Sequence, residues 1–136
     1  MNMEEVRIMV NAKIFAQQLN RSGVKAHVID RYYPVAQQVI IKWDRPEGAI
    51  SASHRLAKAG IFAEAVPLSV KEEGDRCTGL HFSLVGVTRL DISEDDLKIL
   101  AMVVANLLLG YFDVDMAKKR VLDISSHLNS VKNLEY

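Results

Sequence analysis

The stretch GLHFSLVGVTRLD, Gly79 to Asp91, holds the pair of side chains best suited to chemistry: His81 in an alternating segment and Arg89 beyond a turn. A histidine there can carry a proton near neutral pH, and an arginine can grip a carboxylate through two parallel hydrogen bonds. Each also has an inert reading. His81 shares a strand face with Ser83 and Val85, opposite Leu80, Phe82 and Leu84, which describes a solvated strand histidine. Arg89 reads equally as a surface ion-pair partner of small energetic weight. The other histidines, His27, His54 and His127, lie on separate segments with no His pair at i, i+4, so no metal ligands are assigned. The seven glycines stand apart at turns, and no glycine-rich loop opens a helix, so internal phosphate binding is not indicated. No serine sits in a nucleophile elbow, and the single cysteine, Cys77, has no local activator and reads as a small hydrophobe. No catalytic residue is assigned.

Composition narrows the classes further. A chain of 136 residues is one ordinary domain, residues 1–136, and 49% apolar with 25% charged residues is the mixture of a water-soluble globular protein. Seventeen basic residues balance seventeen acidic ones, so no net field draws the chain to nucleic acid or to an anionic membrane. One cysteine allows no internal disulfide and suits a reducing compartment. The amino end, MNMEEVRIMV, has acidic residues where a secretory signal carries positive charge. The cytoplasm is therefore expected. Ile99 to Leu109, the most apolar window, is too short to span a bilayer and reads as a buried helix.

The segments that must position His81 and Arg89 are legible from periodicity. Glu4 to Arg21 repeats Val6, Val10, Ile14 and Leu19, with Met9 and Ala16 alongside, close to helical spacing, and Ser22-Gly23 supplies a stop. Val24 to Ile29 and Gln38 to Trp43 read as two neighbouring strands separated by a turn at Pro34. Ile50 to Ala59 reads as a short helix, with Leu56 and Ala59 inward and Gly60 as its left-handed cap. Ile61 to Val66 is a short apolar run closed by Pro67, and the polar loop Lys71 to Thr78 leads into a strand from Leu80 to Val85. Ser93, followed by Glu94, Asp95 and Asp96, marks a helix start, and the helix runs to Gly110 through Leu97, Leu100, Val103, Val104, Leu107 and Leu108. A terminal helix is expected from Asp115 to about Val131, with Val121, Leu122, Leu128 and Val131 at its spacing. The fold class is α+β: a mostly antiparallel sheet of three or four strands with helices packed on one face.

TGLHFSLVGVTRLDISEDDLKILAMVV resembles the carboxy-terminal segment of serine hydroxymethyltransferases, where Ser-Gly-Ile/Leu-Arg-Ile-Gly-Thr leads into Val-Thr-Arg-Leu-Gly-Met and an acidic helix start. Thr78, Gly79, Leu80, Phe82, Val87, Thr88, Arg89 and Leu90 fit that pattern, as do Glu94, Asp95 and Leu97. NAKIFAQQLNRSGVK from Asn11 is similar to the family's Asn-Ala-Lys helix and the strand after it. AQQVIIKW matches its Thr-His-Gln-Val strand at Gln38 and Val39, and LAKAGIFAEAVP its Gly-Ile to Pro stretch. The tail AKKRVLDISSHLNSVKNLEY is like the terminal helix of archaeal-type members.

The resemblance implies the small carboxy-terminal domain of a fold type I pyridoxal-phosphate enzyme. It implies equally that the Schiff-base lysine and the phosphate-binding residues belong to a large domain, so no cofactor is expected on these residues alone. The arginine that holds the substrate carboxylate in the family is replaced by His81, which cannot form the same two-pronged clamp. The family's His before Gln-Val becomes Gln37, its Gly-Thr becomes Ser83-Leu84, and its Gly after Arg-Leu becomes Asp91. His81, Arg89, Thr88 and Gln37 are the candidate substrate-facing residues. The expected function is a stand-alone binding or assembly module without catalysis of its own. The alternatives are the small-domain subunit of a split glycine hydroxymethyltransferase-like enzyme, using pyridoxal phosphate only with a separate large domain, or a regulatory domain that binds an amino acid or other small carboxylate. The expected partner is a second copy or a large domain, with no nucleic acid and no membrane. A homodimer is expected to bury Met9 and Phe15 of the first helix, or a strand edge at Val39 to Trp43.

Overall fold

The computed structural model describes residues 2–31, 36–68 and 77–128, with the side chains of residues 30, 31, 36 and 37 outside that description. The turn at Pro34, most of the polar loop from Lys71 and the extension of the last helix to Val131 lie outside the described residues.

The first helix, α1 (Met3–Arg21), is started by Asn2, whose side chain accepts from the Glu5 N–H at 2.8 Å, with Glu4 and Glu5 at the positive end of the helix dipole. Its buried face is Ile8, Ala12, Phe15, Ala16 and Leu19. Val6 and Val10, expected inside, are 43% and 49% exposed. Ala12 and Ala16 explain the rotation: small residues let the helix approach its neighbours more closely than a face of valines would. Phe15 is a core residue, its ring 5.5 Å from that of Phe82, so it cannot serve as the subunit contact expected of it.

Strands β1 (Ala26–Arg31), β2 (Ala36–Lys42), β3 (Glu64–Val66) and β4 (Gly79–Ser83) form one sheet in the order β1-β2-β4-β3. Every pairing is antiparallel, with Val28 opposite Val39, Val39 opposite Phe82, and Ile40 opposite His81. β2 is therefore central. The strand edge expected at Val39 to Trp43 is already paired on both sides and is not open to another chain.

Alternation sorts the strands into two faces. Val39, Ile41, Leu80 and Phe82 join the core, and against them pack α1 and α2 (Gly48–Lys58). Helix α4 (Glu94–Leu109) packs on α1, α2 and α5 (Val114–Ser126), which is why it is apolar around so much of its circumference. The Ser93 hydroxyl accepts from the Asp96 N–H at 3.1 Å, and Gly110 ends the helix at φ 85°, a left-handed conformation that a β-carbon disfavours. Leu100 of α4 is only half-buried, whereas Val104 is fully enclosed. α5 starts on Asp113 and buries Ala117 and Ile124, while Leu122, expected inside, is exposed.

The segment expected to continue the last strand to Val85 instead turns into a short helix, α3 (Val85–Arg89). Glycine and two valines are poor helix formers. Tertiary bonds compensate: Thr88 Oγ1 donates to the Leu84 carbonyl at 2.5 Å and accepts from Asn11 Nδ2 at 2.9 Å.

Candidate functional site

The second face of the sheet carries no helix among the described residues. One row across it, read from the register, is His27, Ile40, His81 and Glu64. Gln38 and Ser83 form the next row. His81 is not the solvated strand residue its alternation suggests, for only 8% of it is exposed. Its Nε2 is hydrogen-bonded to the Gln38 side-chain oxygen, diagonally across the β2–β4 pair, and its Nδ1 lies 3.8 Å from the Glu64 carboxylate. Both ring nitrogens thus face oxygen acceptors. Such a ring can hold and orient a proton, but Gln38 occupies one nitrogen and a carboxylate stands beside the other. A second carboxylate would meet repulsion there, not a clamp.

The other candidates lie elsewhere. Thr88 is fully buried and committed to Leu84 and Asn11. Arg89 is exposed and donates through Nε to Glu4 at 2.7 Å, tying α3 to α1. Neither shares a described partner with His81. Gln37 lies in β2 opposite Asp30, its side chain outside the described residues. The structure therefore brings together His81, Gln38 and Glu64 and leaves Arg89 and Thr88 in a separate seam between α1 and α3. Glu64 carried no signal in its own segment, because β3 is three residues long and its register is set by β4. Gln38 was visible only as part of a family pattern.

Of the remaining histidines, His127 pairs with Asp96 at 2.9 Å, and no group of three or more metal-ligating side chains occurs among the described residues. An apolar groove of about 300 Å³ opens on the helix side, lined by Phe15, Phe62, Phe82, Leu100, Val121 and Leu128 among others. Phe62 stands at it, 89% exposed. No helix of the described residues is long and apolar enough to cross a membrane.

The residues around His81 do not fit pyridoxal phosphate. The groups at the centre are an imidazole, an amide and a carboxylate, none of which forms a Schiff base, and the carboxylate opposes a phosphate.

No family model matches the chain. Two curated relatives do: serine hydroxymethyltransferases from Pyrococcus abyssi and Pyrococcus horikoshii, each 29% identical over 119 residues, which is 85% of this chain and 28% of the relative. Among solved structures, the crystal structure of L-threonine transaldolase from Pseudomonas fluorescens, in its internal aldimine state, superposes with a TM-score of 0.67. It is 18% identical, and the match covers 91% of this chain and 28% of that one. The chain thus spans a little over a quarter of the proteins it matches. Over most of its length it is similar to the serine hydroxymethyltransferases, and it has the fold of the small carboxy-terminal domain of such fold type I enzymes.

Proposed function

We propose that these residues form a binding or assembly module of the serine hydroxymethyltransferase small-domain type that performs no chemistry by itself. The observation that carries this reading is His81. At the place where the resemblance puts a substrate-holding arginine stands a buried imidazole turned toward Gln38 and Glu64. A small carboxylate held at His81 is disfavoured by Glu64, which argues against the regulatory alternative at that position. A cytoplasmic setting accords with the lone, half-buried Cys77.

The test is direct. Mixed with pyridoxal phosphate and reduced with borohydride, the chain is expected to show no single stoichiometrically modified lysine, and with L-serine it is expected to yield no glycine. One specific adduct, or turnover above the cofactor alone, overturns the reading.

A second reading has a specific observation behind it: the relatives are matched over 28% of their length. The helix-free sheet face would then meet a large domain, on the same polypeptide or on another, that brings the cofactor. Copurification with a large-domain chain, lost on His81→Glu, is the outcome that favours it. Pairing of two copies is the other form of assembly. With Phe15 inside the core, its natural place is the outward stripe Met3, Val6 and Val10 of α1. Sedimentation equilibrium of the wild type and of Val6→Glu tests it, and a constant monomer mass for both excludes it.

A further inference from the structure

The helix-free face has a second polar region at the end of the β1–β2 pair. The Lys42 N–H donates to the Lys25 carbonyl at 2.9 Å, which extends the register by one residue and sets Lys25 directly opposite Lys42. By alternation both side chains stand on the same face as His27 and Ile40. Like charges directly opposite each other across a strand pair are mildly destabilising, a cost that an anion between them would relieve. Just beyond, the Arg45 guanidinium lies over the Trp43 ring at 4.8 Å from its centroid. Trp43 has the parity of Val39 and Ile41, so its ring stands on the core face, where it is 3% exposed and its Nε1–H donates to Glu47 at 3.3 Å, and Arg45 reaches the end of the strand pair from the side opposite to the two lysines. The stacking favours this position of the Arg45 side chain by about 0.5–1 kcal/mol.

Lys25, Lys42 and Arg45, with Trp43, Asp44 and Gly23, line a cleft of about 340 Å³. The three cations meet one lining carboxylate, Asp44, which leaves two positive charges uncompensated. None of the three makes an ion pair among the described residues, and nearby Glu47 is already committed to Arg55 and Trp43. The excess is local, because the whole chain has a formal charge of zero. Two ammonium point charges and one planar fork, with a net charge of two, complement a tetrahedral dianion. The cleft is a single concavity, which suits a small molecule better than an extended nucleic-acid backbone. The contacts would come from side chains, so no glycine-rich loop is needed.

We propose that this cleft binds the phosphate group of a small dianionic ligand. Inorganic phosphate and phenyl phosphate are the probes, titrated into the full chain at constant ionic strength and followed by calorimetry and by backbone amide NMR shifts. Saturable one-to-one binding is expected, with the shifts centred on residues 23–25 and 42–45. Lys42→Gln and Arg45→Gln, both exposed and so tolerated by the fold, are each expected to weaken it by about tenfold through loss of one charge-assisted contact. Lys119→Gln, on the outer side of α5, is expected to leave it unchanged. Tighter binding of phenyl phosphate than of inorganic phosphate assigns the site to an organic monoester, and equal binding assigns it to the free ion. Binding that survives Lys42→Gln, absence of saturation by either probe, or tighter binding of a single-stranded oligonucleotide through the same residues overturns the proposal.

Discussion

Asp91 is the one non-glycine residue with positive φ among the described residues, at 55°. It follows α3, where its N–H donates to the Thr88 carbonyl at 3.0 Å, and its carboxylate pairs with Arg7 of α1. Two effects of opposite sign meet there. A left-handed backbone costs an L-residue about 1–2 kcal/mol, somewhat less for aspartate than for alanine. The ion pair, with side chains 48% and 47% exposed, contributes about 0.2–1 kcal/mol. Asp91→Gly removes both the strain and the pair, so its stability is expected within about 0.5 kcal/mol of the wild type. Asp91→Ala keeps the strain, slightly raised, and loses the pair, so it is expected to destabilise by about 0.5–1.5 kcal/mol. Urea unfolding with an unchanged slope measures the gap, and a matching difference of roughly 3–6 °C is expected in thermal midpoint. Raising salt to about 1 M should bring Asp91→Gly level with or above the wild type, because only the pair is screened. If Asp91→Ala proves as stable as Asp91→Gly, the backbone argument is wrong. If both fall by the same large amount, the Arg7 contact dominates instead.

Gly79→Ala is expected to destabilise by about 1–3 kcal/mol, because a β-carbon there would lie 2.7 Å from Leu68 Cδ2 and 3.0 Å from Val66 Cγ2. Leu68→Ala in the same chain should recover part of that loss in chemical denaturation, and no recovery would refute the clash. Val104→Asp places a charge in an enclosed site of α4 and is expected to abolish the cooperative thermal transition, a cost of several kcal/mol. Leu100→Asp, at a half-buried position beside the apolar groove, is expected to cost less and to leave a measurable transition.

The elements with strong local signals were readable. Ser93 with its three acidic followers, and Gly110 after a run of apolar residues, delimit α4 within one residue because caps and dipole are local physics. The four antiparallel strands and the one-sided helices also agree with the sequence pattern. What escaped depends on residues far apart. The rotation of α1 that exposes Val6 and Val10 is decided by what the helix leans on, since the spacing of its valines is as helical as that of its alanines. α3 was invisible because its sequence favours extension, and only the bonds from Thr88 to Leu84 and Asn11 turn it. At the site, alternation put His81 on the right face. Its burial and its neighbour Glu64 follow from strand order, which periodicity does not encode.

The contacts between α1 and α3 join residues 77 to 85 positions apart: Asn11 to Thr88, Arg7 to Asp91, and Glu4 to Arg89. α1 also packs on α4, so its apolar face has no complete partner until the far half of the domain has been made. During synthesis at about 5–20 residues per second, the 88 residues from the end of α1 to the end of α4 take roughly 4–18 s. For that interval α1 lacks the packing that supplies most helical stability, and it offers Ile8, Phe15 and Leu19 to whatever is nearby. Within this domain, the topology that gives α1 its long-range seams makes it the element that waits on the far half of the chain for its partners, open to capture by a chaperone in the interval.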